Sequence, residues 1–139
     1  RFHPNSKLIG YSNLKKIGNQ VFNLLFSIVL KKRIYDIGSG LDLYNKSFIS
    51  KIPYQNFPLN LTFDYYMIIY GLFKTEVKFY PQKWKDEDQV SNVRLFNQSV
   101  ELLKIFFEYC YFSIIRNQDK FFSKNRNNFD KIYFNKKKI

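Results

Sequence analysis

Two short stretches carry the residue types that do polar chemistry. In YDIGSGLDLY, Asp36 stands just before Gly38, Ser39 and Gly40. A turn of that composition presents backbone N–H groups and a hydroxyl, the donors that hold a phosphate. Asp36 itself reads as a helix N-cap, a turn former or a catalytic carboxylate. In QKWKDEDQVSNVRLF, Trp84 is followed by Lys85, Asp86, Glu87 and Asp88, then by Ser91 and Asn92. An acidic, hydroxyl-bearing stretch offers oxygens to water, cations or hydroxyl groups. The tryptophan can stack on a ligand or pin the stretch to a core. The plainer reading is that three acids ahead of a helix favour its N-terminus.

Composition bounds what those stretches can belong to. The chain has 139 residues, 45% hydrophobic and 20% aromatic, enough for a sizeable core in one domain or part of one. Lys and Arg number 23 against 11 Asp and Glu, a formal net charge of +12. Such a balance ordinarily points to nucleic acid or anionic membrane. Here Lys, Asn, Ile, Phe and Tyr are all abundant, and all have A/T-rich codons, so base composition alone is able to supply much of the lysine excess. The aromatic runs YYMIIY and FFEYCYF read as core, not as a base-stacking platform, and no nucleic-acid partner is expected. Cys110 is the one cysteine, which excludes an intrachain disulfide and a cysteine-based zinc site. It reads as a small buried hydrophobe. His3, the one histidine, reads as an exposed loop residue beside Pro4. The chain opens on Arg1 with no signal-peptide pattern and reads as a processed chain or a fragment.

Several elements must position these residues. Leu14, Ile17, Val21, Leu24, Leu25 and Ile28 recur at helical spacing, bracketed by Lys15, Lys16, Lys31, Lys32 and Arg33. This amphipathic helix either packs on the core or lies in a membrane interface. Its apolar run is well short of the roughly 20 residues that span a bilayer. Thr62 is a candidate N-cap for a helix with Phe63, Met67, Ile68 and Leu72 on its core face. In TEVKFYP, Val77 and Phe79 alternate with Glu76, Lys78 and Tyr80, which predicts a half-buried strand ended by Pro81. Val93, Phe96, Val100, Leu103 and Phe107 then recur at the three/four spacing of a further helix, and the apolar run from Phe106 to Ile115 either packs on the domain or sits at a bilayer surface. Residues 101–139 read as a helical, basic tail able to add attraction to anionic lipid.

The order of these pieces is more specific than any one of them. A basic amphipathic helix leads to Asp-x-x-Ser-Gly, then to a helix opening with Phe-Asp, then to a strand ending in Pro-x-x-Trp. An acidic loop with Ser-Asn and a further helix follow. In this order YDIGSGLDLY, LTFDYYMIIYGLFKTEVKFYPQKW and KDEDQVSNVRLF resemble the C-terminal half of family 2 glycosyltransferases, in the branch of the polyprenyl-phosphate sugar transferases.

The resemblance covers roughly residues 10–100. It implies an α/β fold: the acceptor-side C-terminal part of a GT-A, Rossmann-like domain over residues 1–100, without the N-terminal half that binds the nucleotide. It implies transfer of a sugar from a nucleotide-sugar donor to a lipid-phosphate or saccharide acceptor at the cytoplasmic face of a membrane, in cell-envelope polysaccharide chemistry. By the same resemblance Asp36 and Asp64 lie at the reaction centre. Ser39, Gly40 and Arg33 serve the acceptor, and Tyr35 stands where many relatives have an arginine. Trp84, Glu87, Asp88, Ser91 and Asn92 form the loop that closes on the donor. The Mg²⁺ or Mn²⁺ such enzymes use takes its main ligands from the half not present here, and none is expected in these residues. The 139 residues are accordingly expected not to transfer sugar alone. The other reading is a non-catalytic scaffold or membrane-surface docking module.

Overall fold

A computed structural model describes residues 1–38, 40–85 and 95–126 of the chain. It is mixed α/β but mostly helical, and among the described residues the sheet is a pair of parallel strands, β1 (Lys7–Ile9) and β2 (Lys83–Lys85). Leu8 lies opposite Trp84 in the register. Ser6 extends the pairing, its hydroxyl accepting from the Gln82 amide at 3.0 Å. Between the strands run α1 (Asn13–Leu30), the short α2 (Lys46–Ile49) and α3 (Phe63–Lys74). After β2 come α4 (Leu95–Ile114) and α5 (Gln118–Ser123).

Local chemistry explains most of the ends. Helix α1 stops at Lys31, which takes the left-handed conformation at φ 53° while Lys32 N–H returns to the Ser27 carbonyl at 3.2 Å. Thr62 does stand at the N-cap of α3, but its hydroxyl donates to Asn60 Oδ1 at 2.6 Å instead of capping the helix. Helix α3 buries Tyr66, Met67, Ile68, Ile69 and Leu72, so it is the central rod of the molecule. Gly71 lets the chain come close: a Cβ there would sit 3.3 Å from Val77 and 3.6 Å from Phe48.

The core is aromatic. Phe26, Phe57, Phe121 and Phe122 are sealed from solvent. Tyr66 stacks on Phe121 at 5.3 Å, and Phe122 meets Phe121 edge to face at 4.9 Å. Leu102, Ile105, Tyr109 and Phe112 of α4 join the same cluster, so residues on both sides of position 100 share one core. Arg126 closes it, its guanidinium over the rings of Tyr66 and Phe121 and 3.0 Å from Glu108. Burial opposes ionisation of Glu108, but hydrogen bonds from Lys124 and Arg126 win and hold its carboxyl below the usual range.

One expectation needs correction, and two helical stripes take faces that their spacing left open. The TEVKFYP segment is extended, with Val77 and Phe79 half-buried and Glu76, Lys78 and Tyr80 exposed as the alternation predicted. It forms no strand among the described residues; the pairing falls instead on Lys83–Lys85. In α1, Leu14, Ile17, Val21, Leu24 and Ile28 face solvent, while Asn23 and Phe26 face the core. In α4, Phe96, Leu103 and Phe107 are likewise exposed, and the opposite face, with Leu102, Ile105, Tyr109 and Phe112, is buried. Both helices are apolar on two sides, and periodicity alone does not choose between two apolar faces.

Candidate functional site

The Gly-rich loop leaves α1 and is held by it. Asn23, buried on α1, donates to the Tyr35 carbonyl at 2.7 Å and accepts from the Ile37 amide at 2.9 Å. Ser27, one turn on, accepts from the Ile34 amide at 3.0 Å. Two polar side chains on an apolar helix therefore take up the backbone groups that the loop would otherwise bury unsatisfied. Gly40 has φ +66°, the left-handed region in which glycine is at ease. Gly38 packs directly under Tyr65, whose hydroxyl would lie 2.9 Å from a Cβ at that position.

Asp36 is 4% exposed. Arg1 grips it with both arms, Nε to Oδ2 at 2.7 Å and Nη2 to Oδ1 at 3.0 Å. Its Oδ1 also accepts from the Gly38 amide at 3.2 Å, which makes Asp36 a turn former. Burial disfavours the carboxylate, but the hydrogen bonds and charge of Arg1 outweigh it, and the group ionises below its usual range. Arg1 further donates to Tyr11 Oη at 3.3 Å and to the Gly38 carbonyl. Its guanidinium lies 5.4 Å from the centre of the Trp84 ring. Asp36 and Trp84, far apart in the chain, thus meet on one cation. The buried Trp84 indole N–H finds no acceptor among the described residues.

A cavity of about 740 Å³ opens beside this cluster. Its walls are the segment after Gly40, the core face of α3 and the extended residues 75–82. Tyr44 donates to Asp42 Oδ2 at 3.1 Å and stacks on Phe48 at 5.7 Å. Burial, followed by the Asp42 and Asp64 charges, pushes the Tyr44 hydroxyl up, so it stays a donor.

The structure brings together only part of the predicted set. Asp36 and Trp84 meet on Arg1, while of Gly40 only its left-handed backbone is defined. Asp64 is exposed in the first turn of α3. Its charge helps to raise the hydroxyls of Tyr44 and Tyr65, after burial in both cases. Arg33 turns away and lies over the Tyr35 ring at 4.9 Å. Ser39, Glu87, Asp88, Ser91 and Asn92 fall outside the described residues. Arg1, Tyr11, Asn23, Tyr65, Asp42 and Tyr44 were not predicted. Asp42 and Tyr44 had a signal, because their spacing of two on an extended segment puts both on one side. The Arg1 contact had none.

No group of three or more His, Cys, Asp or Glu side chains among the described residues could hold a metal ion. Asp36 is already engaged by Arg1, and Asp64 stands apart from it. These residues do not fit a divalent cation by themselves. No helix among the described residues is long and apolar enough to cross a membrane. Comparison with known proteins finds no matching family model, curated protein or solved structure.

Proposed function

We propose that the chain is the acceptor-side part of a metal-dependent glycosyltransferase that moves a sugar from a nucleotide-sugar donor to a lipid-linked or saccharide acceptor. The observation that carries this reading is the meeting of Asp36 and Trp84 on Arg1, with Arg1 and Asp36 in the wall of a cavity. The resemblance assigns Asp36 to the acceptor loop and Trp84 to the donor-closing loop. A chain in which both lean on one guanidinium has a means of linking the two. Asp36 acts here by fixing the loop, because both its oxygens are engaged. Asp64 is the carboxylate open to solvent, and it takes the role of general base toward the acceptor hydroxyl. Ser39 and the segment Glu87 to Asn92 keep the acceptor and donor roles that the resemblance implies.

The test begins with the reading frame ahead of the Arg1 codon. The proposal expects parallel strands ending in Asp-x-Asp to be encoded there, and Mg²⁺- or Mn²⁺-dependent sugar transfer by the longer product. The 139-residue chain alone is expected to show none. Transfer by the short chain, or a longer product inert with every nucleotide sugar tried, defeats the reading.

The exposed faces of α1 and α4 favour a second reading, a module that docks on a bilayer carrying anionic lipid. Leu24 and Ile28 on α1 and Phe107 and Ile114 on α4 are each more than half exposed, on a chain of net charge +12. Placement at the cytoplasmic membrane face belongs to both readings. Flotation with phosphatidylglycerol vesicles but not with phosphatidylcholine vesicles is the expected result.

A further inference from the structure

We infer that residues 76–80 pair antiparallel with the same residues of a second copy of this chain, Val77 opposite the partner's Val77, in a symmetric two-stranded contact. The inference goes beyond the transferase reading and does not depend on it. It starts from unpaired backbone. No amide or carbonyl of Glu76, Val77, Lys78, Phe79 or Tyr80 makes a hydrogen bond among the described residues. The segment is nonetheless extended, and its side chains alternate as a strand's do. Val77 and Phe79 are half-buried, while Glu76, Lys78 and Tyr80 are exposed. The inner side chains hold it in place. Val77 packs over Gly71, where a Cβ would lie 3.3 Å from it, and Phe79 meets Tyr35 edge to face at 5.9 Å. A row of open N–H and C=O groups on a held, extended segment is a template for one more strand.

The outer side chains choose which strand. A lysine on an edge ordinarily discourages pairing. Here Glu76 stands two residues from Lys78 on the same side, and the two are 80% and 66% exposed. Their own ion pair is loose, at 3.8 Å, so both charges remain open to a partner. Residues directly opposite in an antiparallel pair share one face, so outer residues must meet outer ones. With Val77 at the centre, Glu76 faces the partner's Lys78 and Lys78 faces the partner's Glu76. Four charges then alternate in sign around the contact. Centring on Glu76 instead sets two carboxylates together, and centring on Lys78 sets two ammonium groups together; both are repulsive. One register of self-pairing therefore survives, and it has the reciprocity that twofold symmetry requires. On a chain of net charge +12, which repels its own kind, this segment attracts it. Pro81 has no N–H and ends the pairing, so the contact is short and the dimer weak.

Sedimentation velocity of the 139-residue chain is expected to show monomer giving way to dimer as concentration rises. Hydrogen exchange is expected to slow over the same range on alternate amides of residues 76–80. Glu76→Lys and Lys78→Glu each set like charges across the contact, and each is expected to weaken the dimer about tenfold. Both positions are exposed, so both variants keep the fold, as their urea midpoints check. An equimolar mixture of the two variants is expected to restore dimerisation, because each then meets the opposite charge. The chain carrying both substitutions is expected to pair as the parent does. A chain that stays monomeric at every concentration overturns the inference and leaves the open edge to a strand of another protein. A dimer that both single variants keep, or that their mixture fails to restore, overturns it as well. So does a dimer that survives Glu76→Lys and is lost in the Leu24→Glu, Phe107→Glu chain, which would place the contact on the helix faces.

Discussion

Asp36 shows how one side chain is assigned by what reaches it. Its place before a Gly-Ser-Gly triplet left cap, turn and catalysis open, and the grip of Arg1 makes it a structural pin for the loop. Asp36→Ala leaves a largely buried guanidinium with one partner fewer and is expected to cost about 3 kcal/mol in urea denaturation. The acid dependence follows in sign. The folded carboxyls of Asp36 and Glu108 ionise below their ordinary values of 3.8 and 4.5. Their stabilisation is therefore complete above those values and is lost as pH falls through the lower, folded ones. The urea midpoint should begin to drop as pH falls below 4.5 and continue through the lower, folded values, and Asp36→Asn should flatten that drop. An equally steep drop in the variant removes Asp36 from the account. Asn23→Leu leaves the Tyr35 carbonyl and Ile37 amide without their partner, at an expected cost of about 2 kcal/mol.

At the scale of elements, α1 and α4 each present a buried and an exposed apolar face. On α1 the buried side carries Phe26, while Leu24 is 61% exposed; on α4 the buried side carries Tyr109, while Phe107 is 64% exposed. Leu24→Glu and Phe107→Glu should accordingly change the melting free energy by no more than about 0.5 kcal/mol. Phe121→Ala, in the sealed centre where Tyr66, Tyr109 and Phe122 converge, should cost about 3 to 5 kcal/mol. A large loss from the two surface changes would mean that those faces are covered in solution. Short elements behave differently from long ones here. Three residues of KWK became a strand because Lys7–Ile9 lay alongside, while the better-patterned TEVKFYP found no partner strand among the described residues.

For the whole molecule, the relevant quantities are the net charge of +12 and the apolar surface on two of its helices. Together they predict binding to anionic vesicles that weakens as salt rises, since exposed charges are screened within about 8 Å at physiological ionic strength. The doubly substituted Leu24→Glu, Phe107→Glu chain should lose flotation while keeping its fold. Retained flotation in that variant would leave attraction by charge alone and remove the helix faces from the account.

Taken by itself, the sequence determined the three long helices, their order, the glycine bend at Gly40 and a core rich in aromatic rings. Those are local properties, set by composition and by spacings of a few residues. The α3 core face was legible because Met67, Ile68 and Leu72 sit on a helix surrounded by the rest of the chain. Tertiary structure alone decided which face of α1 and α4 is buried, which segment pairs with β1, and that Arg1 closes on Asp36. Each of these depends on residues distant in the chain coming within a few ångströms, and no local spacing records such a meeting.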